Sequence, residues 1–279
     1  MLAEFIWDFN PDLIEIGPFT IRYYGVIFML SIVAGMFFWT RQMRRGGYSR
    51  DVADGFFLWG VLAVVIGARL GHCFFYYTDY YLAHLREVLL PNIFEQRGLS
   101  GLSSHGATVG LTLTLIIYSV VRKLPVLDIT DRFAMSAACG ATGVRLGNFL
   151  NSEIVGRATD LPWAVHFIRS EDYGDVPRHP SQLYEFALGI FVLLTLLLVD
   201  KLAGKEKRPR ALMTGLFLTL YFAGRFCVEF VKEYHINDFR ANSPLTMGQY
   251  LSIIPFTAGV ILLIYASFNA RKAKRAAAA

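Results

Sequence analysis

Stretches of mainly apolar residues recur along the whole chain, each close to the roughly 20 residues that a helix needs to cross about 30 Å of hydrocarbon. They fall at approximately 21–40, 54–77, 105–121, 132–151, 184–200, 211–231 and 247–269, separated by breaks such as "RQMRRGGYSR", "VRKLPVLDITDR" and "DKLAGKEKRPR". What remains between them is too short for a soluble core of its own. The composition agrees, since 54% hydrophobic residues and a mean hydropathy of +0.43 exceed what a soluble domain shows. The expected fold is an all-α integral membrane protein, one polytopic domain over 1–279 with seven transmembrane helices.

Charge sets the direction of those helices. The formal charge of +5 resides in short basic clusters between apolar windows, which is how orientation signals are placed, and this argues against a nucleic-acid partner. The breaks after the first, third and fifth windows, together with the carboxyl-terminal segment, hold sixteen Lys and Arg residues, against eight diluted over longer loops on the other side. The amino terminus is therefore expected outside and the carboxyl terminus in the cytoplasm. The opening "MLAEFIWDFNPDLIEIGPFTIR" has no basic stretch ahead of a compact apolar core, so the first span is expected to direct insertion itself. Cys73, Cys139 and Cys227 stand apart without metal-ligand spacing and read as packing residues, so no metal is expected.

Those two groups leave three of the 27 Lys and Arg residues, Arg69, Arg145 and Arg225, all within the windows and each in the outer half of its expected helix. A charge inside a bilayer costs at least about 2.5–3.5 kcal/mol on insertion scales, so such residues ordinarily face a covered cavity and carry function. Arg69, in "ARLGHCFFYY", can equally snorkel to the interface. Arg145 is followed by Asn148 on the same helical face, and Asn151 and Glu153 come where the helix should end, in "GVRLGNFLNSE". An anionic ligand would account for this patch, because a guanidinium matches phosphate oxygens bidentately; an internal pair with Glu153 would account for it too. In "LYFAGRFCVEFVKE", Tyr221, Arg225 and Glu229 follow one stripe at four-residue intervals, where Arg225 and Glu229 could neutralise each other. Two arginines from separate helices at matching depth favour a shared anion.

Other polar clusters flank the spans. "GLSGLSSHGATVG", residues 98–110, is poor in lipid-facing character and reads as a loop dipping to the membrane surface. It would place His105 on the outer side, as a structural residue or as a general base. "HPSQLYE", residues 179–185, reads as structural, with Pro180 ending the preceding segment, Ser181 as an N-cap, and Tyr184 and Glu185 in the first turn. Tyr23 and Tyr24 suit an aromatic belt or the lining of the same cavity.

Together, "GVRLGNFLNSEIVGR", the "SHG" of the third span, "HPSQLYE", "YFAGRFCVEF" and "MGQYLSIIP" resemble the prolipoprotein diacylglyceryl transferase family, in the right order over essentially the whole chain. The block departs from many members only at Val144, which separates Gly143 from Arg145. The resemblance implies transfer of the sn-1,2-diacylglyceryl group of phosphatidylglycerol to the thiol of the lipobox cysteine in a prolipoprotein signal peptide. A thioether would form and glycerol phosphate would leave, with no cofactor. It also implies the bacterial inner (cytoplasmic) membrane, with a periplasmic amino terminus, a cytoplasmic carboxyl terminus and a site toward the periplasmic leaflet. Periplasmic loops 78–104 and 152–183 would cover that site. The family's catalytic residues map to His105, as base, and to Arg145 and Arg225, as phosphate clamp. Its substrate-binding residues map to Tyr24, Asn148, Asn151, Glu153, Gly156, Tyr221 and Glu229, besides Arg145. Two other classes compete: a transporter of an anionic lipid, which predicts internal repeats not found between the chain halves, and a non-catalytic lipid-binding scaffold, which would tolerate loss of His105.

Overall fold

The computed structural model describes residues 5–17, 19–76, 78–89, 103–170, 173–174, 176–233 and 243–278. Long helices dominate it: α1 (Tyr23–Arg45), α2 (Arg50–Tyr76), α5 (Ser104–Val121), α6 (Val126–Leu150), α7 (Ser181–Leu202), α8 (Leu212–Val228) and α9 (Met247–Ala278), with short α3 (Thr78–Ala83) and α4 (Leu85–Leu89) after α2. Six of them are long and apolar enough to cross a membrane. α6 overlaps the fourth expected window and has 25 residues, but Asp128, Asp131, Arg132 and Arg145 interrupt its apolar character. The helical plan is joined by two small sheets outside the helices. β1 (Phe5–Ile6) runs parallel to β4 (Val165–His166), and β2 (Asp12–Ile16) pairs antiparallel with β3 (Phe19–Arg22). Residues 98–102 of the expected surface loop lie outside the described residues. Its remainder is helix from Ser104 onward, because the Ser103 side chain caps the first turn by accepting from the Gly106 amide.

The chain forms two units, one comprising 1–39 and 131–279 and the other 40–130. In the first, Ala134, Met135 and Ala138 of α6 meet Val192 and Leu196 of α7 and Met213 and Tyr221 of α8 in one buried cluster. α1 joins through Gly35, whose carbonyl accepts from Ser136 Oγ at 2.8 Å. α8 and α9 touch through small residues, where a Cβ on Gly259 would come 2.7 Å from the Thr219 amide nitrogen. One end of this unit is closed by ion pairs: Asp200 with Arg208 at 2.6 Å and Arg132 with Glu206 at 2.7 Å. There Asp131 also accepts from Thr214 N and Oγ1 at the start of α8. At the other end, Trp7 packs on Phe149 beside Val155, Val165 and Phe167.

In the second unit, α2 and α5 face each other through paired small residues, Gly67 and Gly71 against Gly106 and Gly110. A Cβ on Gly71 would sit 2.6 Å from the Gly106 Cα, so the backbones meet with no room for a side chain. The Ser103 amide donates to the Ala68 carbonyl at 2.9 Å, which ties the entrance of α5 to α2. Arg69 donates to the carbonyls of Glu87 and Val88 at the end of α4 and lies over the Tyr81 ring, so it closes a helix terminus. α5 stops because Lys123 takes a left-handed backbone, φ 54°, and Pro125 follows.

Large apolar side chains cover the outer faces of these helices, among them Val121, Leu202 and Ile254, 71–74% exposed. Water would penalise such a surface at about 25 cal/mol per Å², whereas hydrocarbon does not, so this is the surface of a lipid-embedded protein.

Candidate functional site

The site begins where α6 ends. Ser152 and Ile154 both take left-handed backbone, each with φ 55°. For a β-branched residue such as Ile154 this is a strained conformation that its surroundings must hold. They do so from the start of α7: Ser181 Oγ donates to the Ile154 carbonyl at 2.7 Å, and Gln182 Nε2 donates to the Glu153 carbonyl at 2.6 Å. Ser181 is thus the first helical residue, with Pro180 at the cap position, and its hydroxyl supports this turn instead of capping its own helix as the sequence suggested. With the turn fixed, the last turns of α6 present Arg145 and Asn148 inward.

Arg145 is 5% exposed, and its Nε lies 3.0 Å from Glu185 Oε2. Arg225, one turn beyond Tyr221 on α8, reaches Oε1 of the same carboxylate at 3.5 Å. Two guanidiniums from different helices therefore converge on one buried group. The internal pair considered for Arg145 has Glu185 as its carboxylate instead of Glu153, which is linked to Arg145 through the Asn148 side chain at 3.4 Å on each side. Asn151 donates to Glu153 at 3.0 Å. Tyr221 lies within hydrogen-bonding reach of Arg145. Tyr24, in the first turn of α1, packs on Gly147, where a Cβ would come 2.6 Å from its ring.

Lys232 completes the cluster. Its Nζ donates to Glu185 Oε1 at 3.0 Å and lies 3.2 Å from Glu229 Oε2. It stands just beyond the apolar part of α8, and burial is the first cause that pushes its pKa below the ordinary lysine value. Its backbone is held from both sides: the Arg157 amide donates to the Val231 carbonyl, Arg157 Nε donates to the Lys232 carbonyl, and the Glu233 amide donates to the Val155 carbonyl. Gly156 makes this close approach possible, because a Cβ there would lie 2.6 Å from the His179 carbonyl oxygen and 2.7 Å from that of Val231. Arg178 adds an ion pair with Glu233 at 2.6 Å. Glu229 in turn abuts Gly248 in the first turn of α9, whose Cβ would collide with the carboxylate. Thr246 and Gln249 secure that helix start by exchanging hydrogen bonds with each other's amides.

The structure thus brings together Tyr24, Arg145, Asn148, Asn151, Glu153, Tyr221, Arg225 and Glu229 at one end of the first unit, with Gly156 in the wall. His105 belongs to the other unit, half-buried in the first turn of α5 behind the Ser103 cap. Sequence reasoning missed Glu185, Gln182 and Lys232. A glutamate in the first turn of an apolar helix was the available signal for Glu185, and a lysine three residues after Glu229 was the signal for Lys232.

An array of two guanidiniums and an ammonium in a low-dielectric pocket can hold an anion through its oxygens and stabilise negative charge that grows on them. Comparison with known proteins points the same way. The family model for prolipoprotein diacylglyceryl transferase matches residues 11–265. The chain is 39% identical over 258 residues to the phosphatidylglycerol–prolipoprotein diacylglyceryl transferase of Chloroherpeton thalassium, covering 92% of each. It is 38% identical over 280 residues to that of Bacteroides fragilis, covering 98% of each. To that of Cupriavidus metallidurans it is 35% identical over 270 residues, covering 93% of this chain and 94% of the relative.

Proposed function

Because the chain belongs to the prolipoprotein diacylglyceryl transferase family, we propose that its arginine cluster binds the phosphate of phosphatidylglycerol and drives transfer of the diacylglyceryl group to a prolipoprotein, the first step of lipoprotein lipidation. The acceptor is the thiol of a lipobox cysteine. Its thiolate attacks the glycerol carbon that bears the phosphate, the carbon–oxygen bond breaks, and the bonding electron pair stays on the departing phosphate oxygen. A thioether and glycerol phosphate result.

Arg145 and Arg225 neutralise the charge that grows on that oxygen, and this favours the transition state over the ground state. A thiol near pKa 8.5 needs deprotonation before attack, and His105 takes that proton. Asn148, Asn151, Glu153, Tyr24 and Tyr221 orient the headgroup and Arg145, while Glu229 works through Lys232. α6 serves as a seventh span, its charges covered by α1, α7 and α8. The amino terminus and the site face the periplasm, and the carboxyl terminus faces the cytoplasm of the inner membrane. The loops within 78–104 and 152–183 admit the substrates.

The convergence of Arg145 and Arg225 on a single buried carboxylate carries this reading. Its test is purified protein with phosphatidylglycerol and a lipobox peptide, following thioether product. The expected outcome is product with the unaltered chain and its loss in Arg145→Ala, Arg225→Ala and His105→Ala with the fold retained. Product formation undiminished in Arg145→Ala and Arg225→Ala would overturn the clamp, and in His105→Ala it would reassign the base.

A further inference from the structure

Glu185 occupies the anion site, yet the transfer chemistry does not use it. Its carboxylate is 1% exposed, and three cations hold it unequally. Lys232 Nζ donates the shorter hydrogen bond to Oε1, at 3.0 Å. Arg225 Nη1 donates a longer hydrogen bond to that oxygen at 3.5 Å. Arg145 Nε is 3.0 Å from Oε2, but it is aimed so that neither atom forms a hydrogen bond among the described residues. A carboxylate held by one guanidinium through a single long hydrogen bond, and by the other without one among the described residues, stands where a ligand would and falls short of the bidentate fork that phosphate oxygens match. Lys232 is fixed independently by the backbone pairing of Gly156 with Lys232 and by Arg157, so it offers Glu185 a partner that does not depend on the arginines.

We propose that Glu185 is a built-in counter-ion: it competes with the phosphodiester for Arg145 and Arg225, withdraws onto Lys232 when the headgroup binds, and returns to displace the phosphate product. This rests on the functional reading above. The chemistry requires such a device, because a phosphodiester carries one negative charge whereas the glycerol phosphate formed when the carbon–oxygen bond breaks is a monoester with a charge of about −1.5 to −2 at neutral pH. Unopposed, two arginines would hold the product more tightly than the substrate.

The test is binding of glycerol phosphate to the detergent-solubilised full chain by calorimetry, beside thioether kinetics. In Glu185→Gln the competitor is gone, so glycerol phosphate binds about tenfold more tightly or better. Turnover then shows a first-cycle burst followed by a slower steady rate, as product release becomes limiting. Unchanged or weaker binding in a folded Glu185→Gln overturns the proposal. Lys232→Met and Lys232→Arg give a second decision that does not require Glu185→Gln to fold. In Lys232→Met, Glu185 has only the arginines to hold and binding weakens, whereas Lys232→Arg stays close to the unaltered chain; equal affinity in the two overturns the proposal. Thioether formation by the unaltered chain without these shifts removes the counter-ion and leaves the transfer standing. Absence of both thioether and glycerol phosphate binding in the unaltered chain removes both.

Discussion

Arg145 and Arg225 owe their place to shape as well as charge. Lysine at either position keeps a cation but loses the planar fork, so Arg145→Lys and Arg225→Lys should each lower the transfer rate by about 10²-fold or more. A thioether assay on folded variants checks this, and rates near those of the unaltered chain would show that charge alone suffices. His179 shows how pH enters. Its ring sits 3.1 Å from the Tyr184 hydroxyl, and burial holds its pKa below the ordinary histidine value. The unfolded chain therefore takes up this proton first, so the stabilising contribution is complete at neutral pH and shrinks as pH falls below about 6.5. Melting temperature should drop on acidification from pH 7.5 toward 5.5, and His179→Gln should drop less. An identical fall in both would exclude His179 as a contributor.

Each element is placed by close contacts made elsewhere in the chain. The strained turn at 152–154 persists because α7 holds two of its carbonyls, which gives "HPSQLYE" a structural task at Ser181 and Gln182 and a role in the site at Glu185. Gln182→Ala leaves the Glu153 carbonyl without its donor and should cost about 1–3 kcal/mol, read as a lower melting temperature, with transfer reduced because Arg145 loses its setting. An unshifted melting curve would show that the turn holds itself. The glycine contact of α2 and α5 predicts a different failure. Gly106→Val places a branched side chain against the Gly71 Cα, so the helices must part and His105, the residue before it, must move with them. Loss of folded protein is expected, while Gly25→Ala, at a position with open space, should be neutral.

Across the whole molecule, apolar surface and polar ends set the arrangement. Along α7, Glu185 and Asp200 are fifteen residues apart, which at 1.5 Å per residue is about 22 Å, less than the roughly 30 Å of hydrocarbon in a bilayer. Both clusters cannot lie in water, so at least one is within the hydrocarbon layer and must be enclosed by protein, as the buried Glu185 is. If the Glu185 end faces the periplasm, cysteines introduced in the 152–183 loop should react with an impermeant maleimide in intact spheroplasts, and cysteines at 205–207 only after permeabilisation. The reverse pattern would invert the proposed topology.

Six of the seven apolar windows and the two arginines that meet at Glu185 were readable from residue order, because the cost of placing a segment or a charge in lipid is summed over a local stretch of chain. The partners of those arginines were not. Glu185 lies 40 residues from Arg225 and 47 from Lys232 in sequence, and which carboxylate a guanidinium meets depends on contacts of about 3 Å made only after the helices have packed. Nearer candidates were Glu229 for Arg225, at helical spacing, and Glu153 for Arg145, just past the end of its helix. Packing of α6, α7 and α8 around small residues instead put Glu185 between the arginines, and the pairing of 155–157 with 231–233 delivered Lys232 to it.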